Sequence, residues 1–142
     1  MKHAPAGFEL RDHTADIALY VWGDSRGALF RAAADGLYAT IGELVVRGES
    51  RTESLRLEAG DIESLLQDFL SELLFRFETK AVRISDFAFR RLDDTVLDAA
   101  MRVAEVDQRA SLFDREVKAV TYHDLNVIER DGRYEVTLIL DI

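Results

Sequence analysis

The stretch between residues 62 and 78 constrains the fold of this chain more than any other, because its apolar residues follow a helical period. They recur on one wide helix face, at Ile62, Leu65, Leu66, Phe69, Leu70, Leu73, Leu74 and Phe77. Asp61 stands directly before this run and belongs to the residue types that cap helix N-termini. A face this broad must be buried against other elements, so the sequence predicts a central core helix over 62–78.

In the C-terminal half the apolar residues alternate instead, which is typical of strands. The turn residues Asp93-Asp94 separate two such runs and predict a hairpin. A second hairpin is predicted around Asp131-Gly132, because this pair tolerates the positive φ of a tight turn. Its arms are "VKAVTYHDLNVIE", interpreted as one strand, and "RYEVTLILDI".

The N-terminal half adds a strand over 17–22 and a helix that begins after Asp24 or Ser25 and ends near Ile41. Gly42 follows at the position where glycine often ends a helix. The alternation in 50–59 indicates an exposed edge strand. Two helices packed with an antiparallel-rich sheet make the predicted fold class α+β.

The composition of the chain limits the classes of function that it can have. The chain has 142 residues without a flexible linker, so we expect one domain spanning 1–142. It carries 18 basic and 27 acidic residues, a net charge of −9, which argues against direct nucleic-acid binding. It has no cysteine, no apolar stretch long enough to span a membrane and no secretory signal, so a cytoplasmic location is expected.

Acidic residues occur at two places that a strand pairing could bring together. "RDHTADIALYVWGD" contains Asp12 and Asp16, and the sequence closes on a predicted core strand with Asp141 and Ile142. If these places meet, the side-chain carboxylates and the carboxyl end of Ile142 form an oxygen-rich site for a hard cation such as calcium or magnesium. The alternative is that the aspartates are solvated turn and strand-end residues.

A catalytic interpretation is also open. Asp12, His13, Asp16 and His123 are the residue types of a metal-dependent hydrolase. No HExxH, GxSxG or P-loop pattern accompanies them, and histidines in turns more often serve as hydrogen-bonding residues. Lys118 is the second residue of the segment "VKAVTYHDL" and is a partner contact, a member of an ion pair or simply a solvated lysine.

Four segments together resemble the archease family, in the same order and across nearly the whole chain. They are "DHTADIALYVWGDS" (12–25), "LLQDFLSELLFRFE" (65–78), "VKAVTYHDLNV" (117–127) and "LILDI" (138–142). The resemblance implies a strand-helix-strand-strand module with a second module inserted into it. It also implies a protein that is not an enzyme but activates an RtcB-type RNA ligase in tRNA splicing and RNA repair, by promoting ligase guanylylation and multiple turnover.

The same resemblance implies roles for individual residues. Asp16, Asp141 and the carboxyl end of Ile142 match the family's calcium ligands, so the expected cofactor is a divalent cation, calcium. Lys118 matches a lysine implicated in ligase activation, and Asp12 a supporting acidic position. The segment 104–118 departs from the family pattern, since Ala104 replaces the usual glycine and no histidine follows. A metal-dependent hydrolase and a chaperone-like binding module without metal remain the alternatives.

Overall fold

The two termini of the chain contribute strands to the same sheet, and a second sheet is inserted between them. The computed structural model describes residues 5–13, 16–122 and 124–142. Its elements are β1 (Ala6–His13), β2 (Asp16–Gly23), α1 (Arg26–Ile41), β3 (Gly42–Glu43), β4 (Val46–Glu58), α2 (Ile62–Lys80), β5 (Val82–Leu92), β6 (Val96–Val106), β7 (Leu112–Phe113), β8 (Ala119–Thr121), β9 (Ile128–Arg130) and β10 (Arg133–Asp141).

The first sheet has the strand order β1-β2-β10-β8, and β9 pairs with the beginning of β10. All of its pairings are antiparallel. The inserted sheet has the order β4-β6-β5, again with antiparallel pairs. In the first sheet β10, the last strand of the unit β2-α1-β8-β10, lies between β2 and β8. In the inserted sheet β6, the last strand of the unit β4-α2-β5-β6, lies between β4 and β5. The predicted α+β fold, with one such module inserted into another, is therefore confirmed.

Both predicted helices begin where their capping residues indicate. The Ser25 hydroxyl accepts a hydrogen bond from the Ala28 N–H at 3.0 Å, and the Asp61 carboxylate accepts one from the Ser64 N–H at 2.7 Å. These bonds satisfy N–H groups that lack a partner in the first helical turn. Gly42 ends α1 as predicted, while α2 continues to Lys80, two residues beyond the predicted end.

One core joins the two modules. The ring of Phe69 in α2 lies 5.3 Å from that of Phe30 in α1 and 5.1 Å from that of Phe87 in β5, measured between centroids. All three side chains are buried. Burial of side chains this large stabilises a fold by roughly 1.5–3 kcal/mol each, so the aromatic cluster holds the inserted sheet against the first helix.

The interpretation of "VKAVTYHDLNVIE" as one strand is wrong. The structure divides this segment into β8 and β9, with a turn in which the Leu125 N–H donates to the Tyr122 carbonyl at 3.1 Å. Asp124 adopts a left-handed φ of 53° there. Leu125 is buried, and the Val127 N–H donates to the Glu63 carboxylate at 2.8 Å. The chain leaves the sheet because core burial and this bond to α2 replace the strand pairing.

The other turn predictions are confirmed. Asp131 and Gly132 have φ values of 54° and 77°, as a tight hairpin turn requires. The strands around Asp93 form the predicted hairpin. The polar loop over 107–115 contains the short strand β7, which pairs with β3 at the end of α1. None of the helices in the described part of the chain has the length and apolarity to cross a membrane.

The approach of β7 to α1 generates a stability prediction. A Cβ atom at Gly42 would clash with the Leu112 carbonyl oxygen, whereas one at Gly60 would meet no heavy atom within 4 Å. We expect Gly42→Ala to lower the free energy of unfolding by about 2 kcal/mol or more. Gly60→Ala should change it by less than about 0.5 kcal/mol. Urea denaturation of both variants measures this, and equal effects would contradict the prediction.

Candidate metal centre

Asp16 and Asp141 lie directly opposite each other in the first sheet. They form the last pair of the β2–β10 register, which begins with Gly23 opposite Tyr134. Residues opposite each other on antiparallel strands point to the same face, with Cβ atoms about 4.5–5.5 Å apart. The structure therefore brings together these two predicted site residues, which we call the carboxylate pair.

Core burial fixes the register that produces this pair. Leu19 in β2 faces Leu138 in β10, and Ile17 faces Leu140, with all four side chains buried. A shift by one residue would move this apolar set to the opposite face of the sheet. The carboxylate pair lies on that opposite face, so the free energy that holds it in place comes from the core behind it.

The surroundings of the pair differ between its two members. Asp16 is half-buried, and its Oδ1 atom is excluded from solvent, while Asp141 is exposed. Ile142 follows Asp141 and packs partly against the core, which holds its main chain beside the pair. On the other side of β10, Asp141 faces the small residue Ala119. The Asp16 side of the site is thus partly buried, and the Asp141 side is exposed to solvent.

Asp12 does not join this group. It pairs with Ile17, whose side chain points into the core, so Asp12 lies on the opposite face of the sheet from Asp16. The structure therefore places Asp12, the predicted supporting residue, on the opposite face of the sheet from Asp16 and Asp141. The reason is the register, which pairs even-numbered residues of β1 with odd-numbered residues of β2.

The four residues of the hydrolase interpretation are not brought together either, since Asp12 and Asp16 occupy opposite faces. His123 and the side chain of His13 lie outside the described residues. Within the described ranges, the structure contains no group of three or more histidine, aspartate or glutamate side chains able to hold a metal ion. The described residues therefore bring together two carboxylates, and the main chain of Ile142 follows directly after Asp141.

These donors suit a hard cation. Two carboxylates fixed on neighbouring strands repel each other, and a divalent cation between them relieves that repulsion. Calcium and magnesium bind oxygen ligands, and calcium accepts the more irregular arrangements and carbonyl donors. Carboxylate and main-chain oxygens are thus donors of the type that calcium accepts.

The backbone of Lys118 lies next to the candidate metal centre. Its N–H donates to the Asp141 carbonyl at 2.7 Å, one residue before β8 begins. Its side chain is exposed and lines a groove with a volume of about 690 Å³. The groove runs between the end of α2 and residues 113–118, and we call it the α2 groove. Sequence reasoning missed it, although the apolar pair Leu112-Phe113 inside a polar loop was a signal.

Helix α2 positions the strand that follows Lys118. The Gln67 side chain donates to the Val120 carbonyl at 3.1 Å. The Tyr122 hydroxyl donates to the Asp61 carboxylate at 3.4 Å. The hydrogen bonds from Ser64, mainly that of its backbone N–H, hold the pKa of Asp61 below its ordinary value, and the bond from Tyr122 acts in the same direction.

The chain as a whole is similar to the proteins of one family. The model of the Archease protein family (MTH1598/TM1083) matches residues 8–142. Protein archease of Methanopyrus kandleri is 36% identical over 135 residues, which cover 92% of this chain and 96% of that protein. Protein archease of Pyrococcus furiosus is 34% identical over 141 residues, with 95% and 98% covered.

Solved structures agree with this match. Protein 1598 of Methanobacterium thermoautotrophicum is 30% identical, with a TM-score of 0.74 over 96% of this chain and 99% of that one. A Thermotoga maritima protein described as an archease, possible chaperone, has a TM-score of 0.69 over 93% of this chain and 94% of its own. At 23% identity, that second likeness concerns the fold.

The cap of α2 generates a pH prediction. Because the pKa of Asp61 is lowered on folding from its ordinary 3.8, its contribution to stability is present above that pH and is lost as the pH falls through the folded value. Asp61→Asn keeps a capping oxygen but has no charge to lose. We expect its Tm to fall less than that of the wild type between pH 7 and about pH 3.

Asp68→Asn is the matched control, since Asp68 is exposed on the same helix and makes no hydrogen bond or ion pair with the described residues. Its Tm should follow the wild-type pH dependence. Circular dichroism melts measure both variants, and parallel curves for Asp61→Asn and wild type would contradict the prediction.

Proposed function

Because the chain belongs to the archease family, we propose that it is a metal-binding protein cofactor that activates an RtcB-type RNA ligase in tRNA splicing and RNA repair. In this proposal the protein performs no chemistry of its own. It promotes guanylylation of the ligase and supports its multiple turnover. A cytoplasmic location belongs to the same proposal.

The observation that carries the proposal is the pairing of Asp16 with Asp141 on an open sheet face. Asp16, Asp141 and the main-chain oxygens of Ile142 would hold the cation, and calcium is the ion proposed. The bound ion would neutralise the carboxylates and offer a positively charged point to a partner. Such a point suits the electrostatic stabilisation of an anionic nucleotide at the partner's active site.

The overall charge supports a protein partner rather than direct RNA binding. A net charge of −9 repels the phosphate backbone of RNA. An RNA ligase must itself present basic residues to its substrate, so the two surfaces complement each other in charge. The acidic chain would therefore act on the RNA through the ligase.

Lys118 supports the same proposal by its position. Its backbone bond to Asp141 fixes where its exposed side chain begins, directly beside the cation site. A lysine is a mobile point charge that suits contact with a phosphate group. We therefore assign Lys118 to activation of the ligase rather than to binding of the cation.

The first test of the proposed function compares substitutions on the two faces of the first sheet. We expect Asp16→Asn and Asp141→Asn each to weaken calcium binding by about tenfold or more and to reduce the stimulation of ligase guanylylation. Asp12→Asn is the matched control, because Asp12 lies on the opposite face. Isothermal titration with calcium and a guanylylation assay with the ligase of the same organism measure the two effects.

Full stimulation by both ligand variants would contradict the proposed cation site. Equal losses in Asp12→Asn would show that the effect does not come from the paired face. Ligase stimulation without any calcium heat would favour the chaperone-like alternative, in which no metal takes part.

The second test concerns Lys118. We expect Lys118→Ala to lower the stimulation of guanylylation by about tenfold while calcium affinity stays at the wild-type value, because the side chain contacts the ligase and its backbone bond to Asp141 remains. The same two assays measure this. A matching loss of calcium affinity would instead make Lys118 part of the cation site, and unchanged stimulation would remove it from the proposal.

A further inference from the structure

The α2 groove has an apolar floor and lies between the two modules. Its volume is about 690 Å³, within the range of sites that take a ligand or a short peptide segment. The side chains of Ile41, Leu74, Val106 and Val117 are buried beneath it. Phe77 from α2 and Phe113 from β7 both line it and pack against each other as a tilted pair, with ring centroids 6.5 Å apart.

Phe113 is held outside the core by its backbone. Its side chain is 53% exposed, and that of the preceding Leu112 is 66% exposed. The strand they form pairs with β3, and the N–H groups of Asp114 and Arg115 donate to the Ile41 carbonyl at 2.8 and 3.2 Å. The exposed ring is therefore part of an ordered wall, which lowers the entropy cost of binding a partner against it.

The electrostatics of the groove favour a basic occupant. Glu78 and Glu116 line its rim, and neither forms an ion pair with any described residue. Asp114 is also on the rim and is paired with Arg115 at 3.1 Å. The basic residues of the lining are Arg115 and Lys118, so its three acidic side chains are in excess.

The groove also continues to the candidate metal centre. Lys118 lines its end, and the Lys118 N–H is bonded to the Asp141 carbonyl. A partner seated in the groove would thus lie beside the carboxylate pair without using the cation ligands. Docking in the groove and binding of the cation would use different residues, and the two surfaces meet at Lys118.

We infer that the α2 groove docks a segment of the RNA ligase that presents an apolar side chain flanked by lysine or arginine. The apolar side chain packs against the Phe77–Phe113 pair, and the basic residues pair with Glu78 and Glu116. This inference rests on the proposed function, since it takes the ligase as the partner. It assigns affinity for the ligase to the groove and leaves the stimulation of guanylylation to the carboxylate pair and Lys118.

The test compares two groove variants with two matched controls. Phe113→Ser removes the exposed ring, and Glu116→Lys reverses a rim charge. Phe75→Ser removes a ring that is 57% exposed on α2 outside the groove, and Glu49→Lys reverses an exposed charge on β4. Biolayer interferometry measures the Kd for the ligase of the same organism, and isothermal titration measures calcium affinity.

We expect both groove variants to weaken ligase binding by about tenfold or more, with the calcium affinity and Tm of the wild type. At saturating concentration they should restore full guanylylation, because only docking is impaired. Wild-type Kd values for both groove variants, or an equal loss in both controls, would overturn the inference.

Two further outcomes would also overturn it. A fall in calcium affinity equal to the fall in ligase affinity would show that the groove is not separate from the cation site. Self-association of the wild type that Phe113→Ser abolishes would assign the groove to a second copy of this chain. If the wild type neither binds nor stimulates the ligase, the proposed function fails as well. If the wild type stimulates the ligase and the groove variants bind it with the wild-type Kd, only the inference about the groove fails.

Discussion

The antiparallel register between β2 and β10 is the constraint on which the rest of the structure depends. It joins a strand from the beginning of the sequence to the strand that closes it, and Leu19 opposite Leu138 is completely buried. Because side chains alternate along a strand, the same register that buries the leucines places Asp16 opposite Asp141 on the other face. Folding and the candidate site are therefore coupled through one set of backbone hydrogen bonds.

That coupling explains how the protein can keep two carboxylates close together. Their mutual repulsion opposes the pairing, but it is small beside the burial of the apolar residues that fix the register. Asp16 is partly shielded from solvent, while Asp141 stays exposed, so the pair is held rigidly and remains accessible. An ion bound there, as proposed, would meet an arrangement already ordered by the fold, which would lower the cost of binding.

The inserted module has a different part in the arrangement. It repeats the strand order of the first module and shares its core through Phe69. Its helix α2 contacts the segment after Lys118 through Gln67 and Asp61. The α2 groove exists only where the two modules meet, since its floor takes residues from both.

Local features of the structure were readable from neighbouring residues alone. Ser25 and Asp61 cap helices through bonds that span three residues, and Asp131-Gly132 turns within two. Gly42 ends α1 for a similar reason. Each of these depends on the chemistry of a few adjacent side chains, so the pattern predicts it without knowledge of the remaining fold.

By itself, the sequence determined the α+β class, the two capped helices, the hairpins and the residue types of a hard-cation site. Only the tertiary structure decided that Asp16 rather than Asp12 faces Asp141, that the strand after Lys118 breaks near Asp124, and that a groove opens beside Phe113. The physical reason is how far apart in the sequence the interacting residues lie. Caps and turns are settled within a few residues, whereas register, strand breaks and grooves follow from burial summed over segments far apart in the chain.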